Sequence, residues 1–123
     1  MKSFLIVFIG SGIGGIFRYG LNTIIDHLGQ RGYIGTFLSN ILAALILGIF
    51  LSWNTTQNQT ENNYRLLIAI GICGGFSTMS TFSFELYEMI KSAKYVLFLV
   101  YLISTISISI LMIFLGYTLH QKM

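Results

Sequence analysis

Proline is absent from this chain, cysteine occurs once, and only 9% of the residues are charged. Each deficit closes something off. A soluble domain carries about 25% charged residues, so a chain this poor in charge takes lipid as its solvent. The lone Cys73 excludes an intrachain disulfide and gives no metal-ligand spacing. With no proline, the interruptions in apolar runs come from glycine and hydroxyl residues. His27 and His120 fall near predicted helix ends without a partner at ligand spacing, which reads as two interfacial side chains. No nucleophile–base pair, metal cluster or phosphate loop stands out, so the chain does not read as an enzyme. Nothing in it points to nucleic acid.

What is present is apolar sequence: 54% hydrophobic residues and a mean hydropathy of +0.77 over 123 residues. Apolar runs of about 20 residues predict four membrane helices, near 4–25, 34–53, 66–90 and 95–119. The connections are short, at 29–32, 54–63 and 91–94. Lys2 before an apolar stretch resembles a signal peptide, but the run outlasts a typical signal core and shows no clear cleavage pattern, so it predicts a span. The expected organisation is one all-α integral membrane domain over residues 1–123.

Charge is informative by side. Four spans place Lys2, Arg65 and Lys122 on one side and Arg31, Lys91 and Lys94 on the other, a balance that gives no orientation bias. Two readings stand: chance in a protein with few charges, or insertion in both orientations with pairing of inverted copies. Four spans are too few to enclose a wide pore, so oligomerisation is expected. Small residues four apart, Ser11 with Gly15 and Gly71 with Gly75, are candidate helix contacts for it.

The polar residues inside the spans carry the functional signal. Residues 71–85 place three glycines and a run of hydroxyls, Ser77, Thr78, Ser80 and Thr81, within the third span, which predicts a broken helix. Unpaired polar groups in hydrocarbon cost several kcal/mol each, so protein or a water-filled cavity surrounds such a segment. Arg18 follows a glycine-rich stretch in the first span, Asn40 lies in the second, and Ser104, Thr105, Ser107 and Ser109 stud the fourth. No carboxylate lies deep in the first two spans, and Glu85 and Glu88 follow the break. The deep groups are mainly donors, which suits an anion. Serine and threonine in membrane helices usually bond the carbonyl one turn back; asparagine cannot satisfy all its groups that way, which makes Asn40 a functional candidate. Phe76, Phe82 and Phe84 flank the hydroxyls, and the positive edge of a phenyl ring attracts a small anion.

Gly12-Ile-Gly-Gly-Ile-Phe-Arg18-Tyr19, Gly35-Thr36-Phe-Leu-Ser-Asn40 and the run from Gly71 to Glu85 together resemble the Fluc (CrcB) fluoride channels. The resemblance implies four-helix subunits in an antiparallel, dual-topology dimer in the cell membrane, a bacterial plasma membrane. Two fluoride pathways would follow the subunit interfaces, around a central structural sodium ion. It implies passive export of cytoplasmic fluoride and relief of its toxicity. By position, Asn40 resembles the pore asparagine, and Met79 and Phe82 occupy the positions of paired phenylalanines. Ser80, Thr81 and Ser109 resemble a track of hydroxyls. The backbone carbonyls of Gly74 and Ser77 match the sodium site, Arg18 the arginine near the pore mouth, and Glu85 closes the motif.

Three departures from the family pattern are visible: Ser77 for threonine, Ala43 for glycine and Met79 for the first phenylalanine. A backbone ligand makes the first small, and the second changes packing. The third matters more, because methionine has no polarised ring edge. It leaves open a homodimer with a weakened pathway, a heterodimer with a related subunit that supplies the ring, or a non-conducting partner subunit. A small dual-topology multidrug transporter shares the length and span count, but lacks its expected deep carboxylate here.

Overall fold

The computed structural model describes residues 1–56 and 62–121, and its elements are all helices. α1 runs Lys2–His27 and α2 runs Gly32–Thr56. α3 covers 62–76 in three consecutive stretches, Asn62–Tyr64, Arg65–Cys73 and Gly74–Phe76, the middle one wound with i→i+5 hydrogen bonds. Ser77 and Thr78 are extended. α4 then runs Met79–Lys91 and α5 runs Tyr95–Gln121. Residues 57–61 of the connection expected at 54–63 lie outside the described residues, as does Lys122.

Four stretches, Lys2–His27, Gly32–Asn54, Asn62–Lys91 and Tyr95–Gln121, are long and apolar enough to cross a membrane. Helices suit that solvent because they satisfy their own backbone groups. Only 11% of the most apolar window is buried in α1 and in α5, against 39% in α2, so α2 is the central helix. Phe4, Phe8, Ile16 and Phe17 of α1 and Val96, Ile103 and Phe114 of α5 are exposed. In water each would forfeit about 25 cal/mol per Å²; in hydrocarbon they face their own solvent.

The turns explain how the helices reverse. Gly29, at φ +69°, ends α1, with its amide and that of Gln30 bonded to the Asp26 and Ile25 carbonyls. Ala93, at φ 55°, plays the same part after α4. Arg31 and Lys94 line one cavity, so both turns lie at the same end of the bundle.

Packing divides in two. α1 lies along α3 with backbone almost touching backbone. A methyl on Gly71 would sit 2.8 Å from the Gly10 Cα, and one on Gly75 would sit 3.0 Å from the Ser11 Cα. Gly14 is held as closely by Ile72 and Phe76. This corrects one expectation: Gly71, Gly75 and Ser11 serve a contact within the chain, whereas a methyl on Gly15 would meet nothing within 4 Å. On the other side, α2 packs along α5, with Gly48 against Ile113 and Gly116 against Leu45. α4 closes on α2 and α5 through a buried cluster of Phe82, Met89 and Tyr101, flanked by Tyr33, Phe37 and Leu86.

Candidate functional site: a donor-lined groove at the helix break

Two side-chain caps define the break. In an unbroken helix the Thr78 amide would bond the Gly74 carbonyl, and the Thr81 amide the Ser77 carbonyl. Instead the Thr78 N–H donates to Asn40 Oδ1 at 2.8 Å, across from α2. The Thr81 N–H donates to Thr78 Oγ1 at 3.3 Å, which makes Thr78 the N-cap of α4. Each cap takes the donor that the Gly74 or Ser77 carbonyl would otherwise receive. The 13-residue α4 also points its positive N-terminal end at the break.

Beside the break lies an open groove of about 470 Å³ between α2, α3, α4 and α5. Of the residues singled out in the sequence, Asn40, Gly74, Ser77, Met79, Phe82 and Ser109 line it together. Ser80 and Thr81 do not. They sit on the exposed first turn of α4 and reach the groove only through Thr78, whose hydroxyl donates to Thr81 Oγ1 at 3.0 Å and lies 3.5 Å from Ser80 Oγ. Arg18 is half-buried on α1 and does not line the groove. Met79 projects outward at 73% exposure, whereas Phe82, one turn on, is 3% exposed.

An inventory of hydroxyl protons shows what the groove offers. The Thr105 hydroxyl donates to the Tyr101 carbonyl at 2.7 Å, and Ser104 donates to the same carbonyl at 3.3 Å. Thr78 is engaged with Thr81. Among the described residues, the Asn40 NH₂ group and the Ser77 and Ser109 hydroxyls have no acceptor. Asn40 is oriented by its own acceptor bond, so that bond fixes which half of the amide is left to the groove. The walls between these donors are apolar: Ala43, Ala44, Leu47 and Ile110. Few convergent donors in an apolar setting is the form of a small-ligand site.

Past Phe82 the groove ends in a septum. Phe82 and Tyr101 meet edge to face, with ring centroids 5.1 Å apart. The Glu85 carboxylate is held at both oxygens, by the Thr36 hydroxyl at 2.7 Å and by the Tyr101 hydroxyl at 2.7 Å. Beyond Glu85 a second cavity opens towards the 28–31 and 92–94 turns. Thr36 and Tyr101 were given no role from sequence, and the groove-lining Thr105 was named only among the hydroxyls of the fourth span, although helical spacing carries a signal for all three. Thr36 and Asn40 are four apart on α2; Tyr101, Thr105 and Ser109 are four apart on α5. Each set shares one helix face.

Residues 5–117 match the family described as CrcB-like protein, Camphor Resistance (CrcB). The chain is 43% identical over 86 residues to a protein of Phocaeicola vulgatus, a match covering 69% of this chain and 70% of the relative. A protein of Methylobacterium nodulans is 39% identical over 85 residues, 69% and 68% of the two chains. One of Enterobacter sp. is 36% identical over 86 residues, 70% and 68%. All three bear the name fluoride-specific ion channel FluC. On these matches, this chain belongs to the CrcB family.

Proposed function

We propose that this chain is a fluoride-selective channel that lets cytoplasmic fluoride leave the cell passively and so reduces its toxicity. The observation that carries the reading is the groove itself, where unengaged donors of Asn40, Ser77 and Ser109 converge between apolar walls beside a helix N-terminus. Fluoride is small and binds water tightly, so a path for it must replace many waters with close donors. The relatives named for fluoride supply the ion's identity.

The residues then divide the work. Asn40 and Ser109 take the place of water along the groove. Phe82 sets its width next to the septum. There the Thr36 and Tyr101 hydroxyls hold the Glu85 carboxylate, and fluoride passes by replacing that carboxylate on the two hydroxyls. The path remains closed to water while the carboxylate stays in place. None of these steps is enzymatic, and neither the multidrug transporter nor the non-conducting subunit has support among the relatives.

The working unit in this reading is an antiparallel, dual-topology homodimer in the plasma membrane. Gly74, Met79, Ser80, Thr81 and Ser83 are exposed in the middle of the third span. Hydroxyls and freed backbone facing hydrocarbon cost several kcal/mol each, and a second inverted copy covers them. The Gly74 and Ser77 carbonyls, deprived of helical donors by Asn40 and Thr78, suit a hard cation with oxygen ligands. Together with their symmetry mates they would hold a sodium ion, which supplies a fixed positive charge between the two breaks.

The test is efflux from liposomes loaded with fluoride and carrying this chain alone, followed by a fluoride electrode. Fluoride release without chloride release is expected. No release from a stable dimer, with release restored by Met79→Phe or by a related second subunit, would replace the homodimer with a heterodimer. No release under any of these conditions would overturn the channel reading.

A further inference from the structure

Three helices meet at the septum. α4 brings Phe82 and Glu85, α5 brings Tyr101, and α2 brings Thr36. α2 also brings a further ring. Tyr33 lies against Tyr101 with centroids 5.5 Å apart and planes tilted by 56°, so the Tyr101 ring is in contact with Phe82 and with Tyr33. Tyr101 is buried, whereas Tyr33 is half-buried and lines the cavity beyond Glu85.

Tyr33 stands on fixed ground. It occupies the first turn of α2, where the Ile34 N–H donates to the Arg31 carbonyl at 2.9 Å. Two residues on, a methyl on Gly35 would strike the Asn22 side chain and lie 3.3 Å from the Asn22 Cα, so this turn is pinned to α1. Thr36, one turn after Tyr33, shares its helix face. α2 therefore supplies one donor to Glu85 directly, through Thr36, and braces the other, the Tyr101 hydroxyl. That hydroxyl is the atom of Tyr101 farthest from the backbone, so a small swing of the ring displaces it most. The two hydroxyls converge on one carboxylate only while the ring keeps its place.

We propose that Tyr33 is a positioning residue for ion selectivity. Its ring holds the Tyr101 hydroxyl at a spacing from the Thr36 hydroxyl that lets one small anion take both bonds. The assignment rests on the reading of the septum as the place where fluoride displaces the Glu85 carboxylate. Without the Tyr33 ring, the space beside Tyr101 joins the cavity beyond Glu85, water enters, and the two donors part. Chloride, larger and less demanding of close donors, then passes. The contact is made by the ring, so the Tyr33 hydroxyl is dispensable.

Efflux from liposomes loaded with fluoride and chloride together, carrying the native chain, Tyr33→Ala or Tyr33→Phe, tests it. Tyr33→Ala is expected to lose about tenfold in fluoride efflux, the scale of one aromatic pair, and to release chloride, which the native chain retains. Tyr33→Phe is expected to keep both native properties. Fluoride release with native selectivity in Tyr33→Ala would overturn the selectivity role alone. No fluoride release from the native chain would sink the channel reading and this role with it. Chloride release by Tyr33→Phe would overturn the proposal by putting the effect in the hydroxyl. Nitration of the purified proteins with tetranitromethane, located by mass spectrometry, reports access to Tyr101 without any ion. Tyr101 is expected to be nitrated in Tyr33→Ala and protected in the other two; a chloride leak with Tyr101 still protected would overturn the bracing. If Tyr33→Ala does not fold, Tyr33→Leu, which fills part of the space without a ring, takes its place with the same expected outcomes.

Discussion

The α1–α3 seam is shut and the groove between α2, α3, α4 and α5 is open, and side-chain size separates them. Along the seam, Gly10, Gly14, Gly71 and Gly75 let two backbones meet with no side chain between them. Facing the groove, Ala43, Ala44, Cys73 and Phe82 keep the helices apart, and Asn40 bridges the space to the broken backbone. Without a hydrophobic drive between helices in lipid, closeness comes from small residues and separation from larger ones. The lesson is that the seam anchors α3 rigidly, so that the break that follows it can be held open by hydrogen bonds alone.

The largest expected effect is on the seam. Gly75→Leu drives a side chain into the Ser11 backbone, which cannot yield as a flexible side chain would. Overpacking costs about 1–3 kcal/mol where side chains can move and more where they cannot, against a total stability of about 5–15 kcal/mol. Size-exclusion chromatography and circular dichroism should show little folded protein. Gly12→Leu, where a methyl meets nothing within 4 Å, should behave as the native chain. If both variants fold alike, the seam is not the anchor.

Asn40→Asp comes next and separates scaffold from path. The carboxylate still accepts from the Thr78 N–H, so the break keeps its cap. The groove loses the NH₂ donor and gains a negative group. A hydrogen bond to a charged group is worth about 1.5–3 kcal/mol, which predicts at least a 10- to 150-fold fall in fluoride efflux with the protein still folded. Efflux at the native rate would take Asn40 out of the mechanism.

Tyr101→Phe probes the septum with a smaller change. The ring stays against Phe82, and the Glu85 carboxylate loses one of its two donors. Efflux is expected to fall about tenfold, the equivalent of one bond of about 1.4 kcal/mol. Thr36→Val, which removes the other donor, should have an effect of the same order. A drop in one and not in the other would mean that only one hydroxyl meets the ion.

Much of this contrast was legible in the sequence. The spans follow from apolar runs, and the break at 77–78 from glycines and hydroxyls where hydrocarbon tolerates neither unpaired. Asn40 stood out because it cannot satisfy its own amide, and the Thr78 N–H meets that need at Oδ1 while the NH₂ half is left to the groove. The rest depends on which helices are neighbours. Small-residue spacing does not say whether the partner helix lies in the same chain, so Gly71 and Gly75 were read as oligomer contacts. Tyr101 looks like one aromatic among many until α4 lies beside α5 and brings Glu85 to its hydroxyl. Ser80 and Thr81 are adjacent to the groove in sequence, but the helical turn that Thr78 starts at Met79 carries them to the exposed side.

The finest contrast lies within α5 itself, between two hydroxyls one turn apart on the same wall of the groove. The Thr105 proton is held by the Tyr101 carbonyl at 2.7 Å, so the side chain shows the groove an oxygen without a donor. Ser109 has no such acceptor among the described residues, and its proton is available to an anion. If donors rather than mere polarity carry fluoride, Ser109→Ala should lower efflux several-fold, about 1 kcal/mol for a neutral hydroxyl. Thr105→Val, which keeps the shape, should leave efflux within about twofold, since the lost bond is internal to the helix. Liposome efflux of the two variants side by side decides it. Equal losses would mean that the groove conducts through bound water, with its hydroxyls as general polar lining. Loss at Ser109 alone would place the donor track at Ser109 rather than at Thr105, on the face of α5 that the two share.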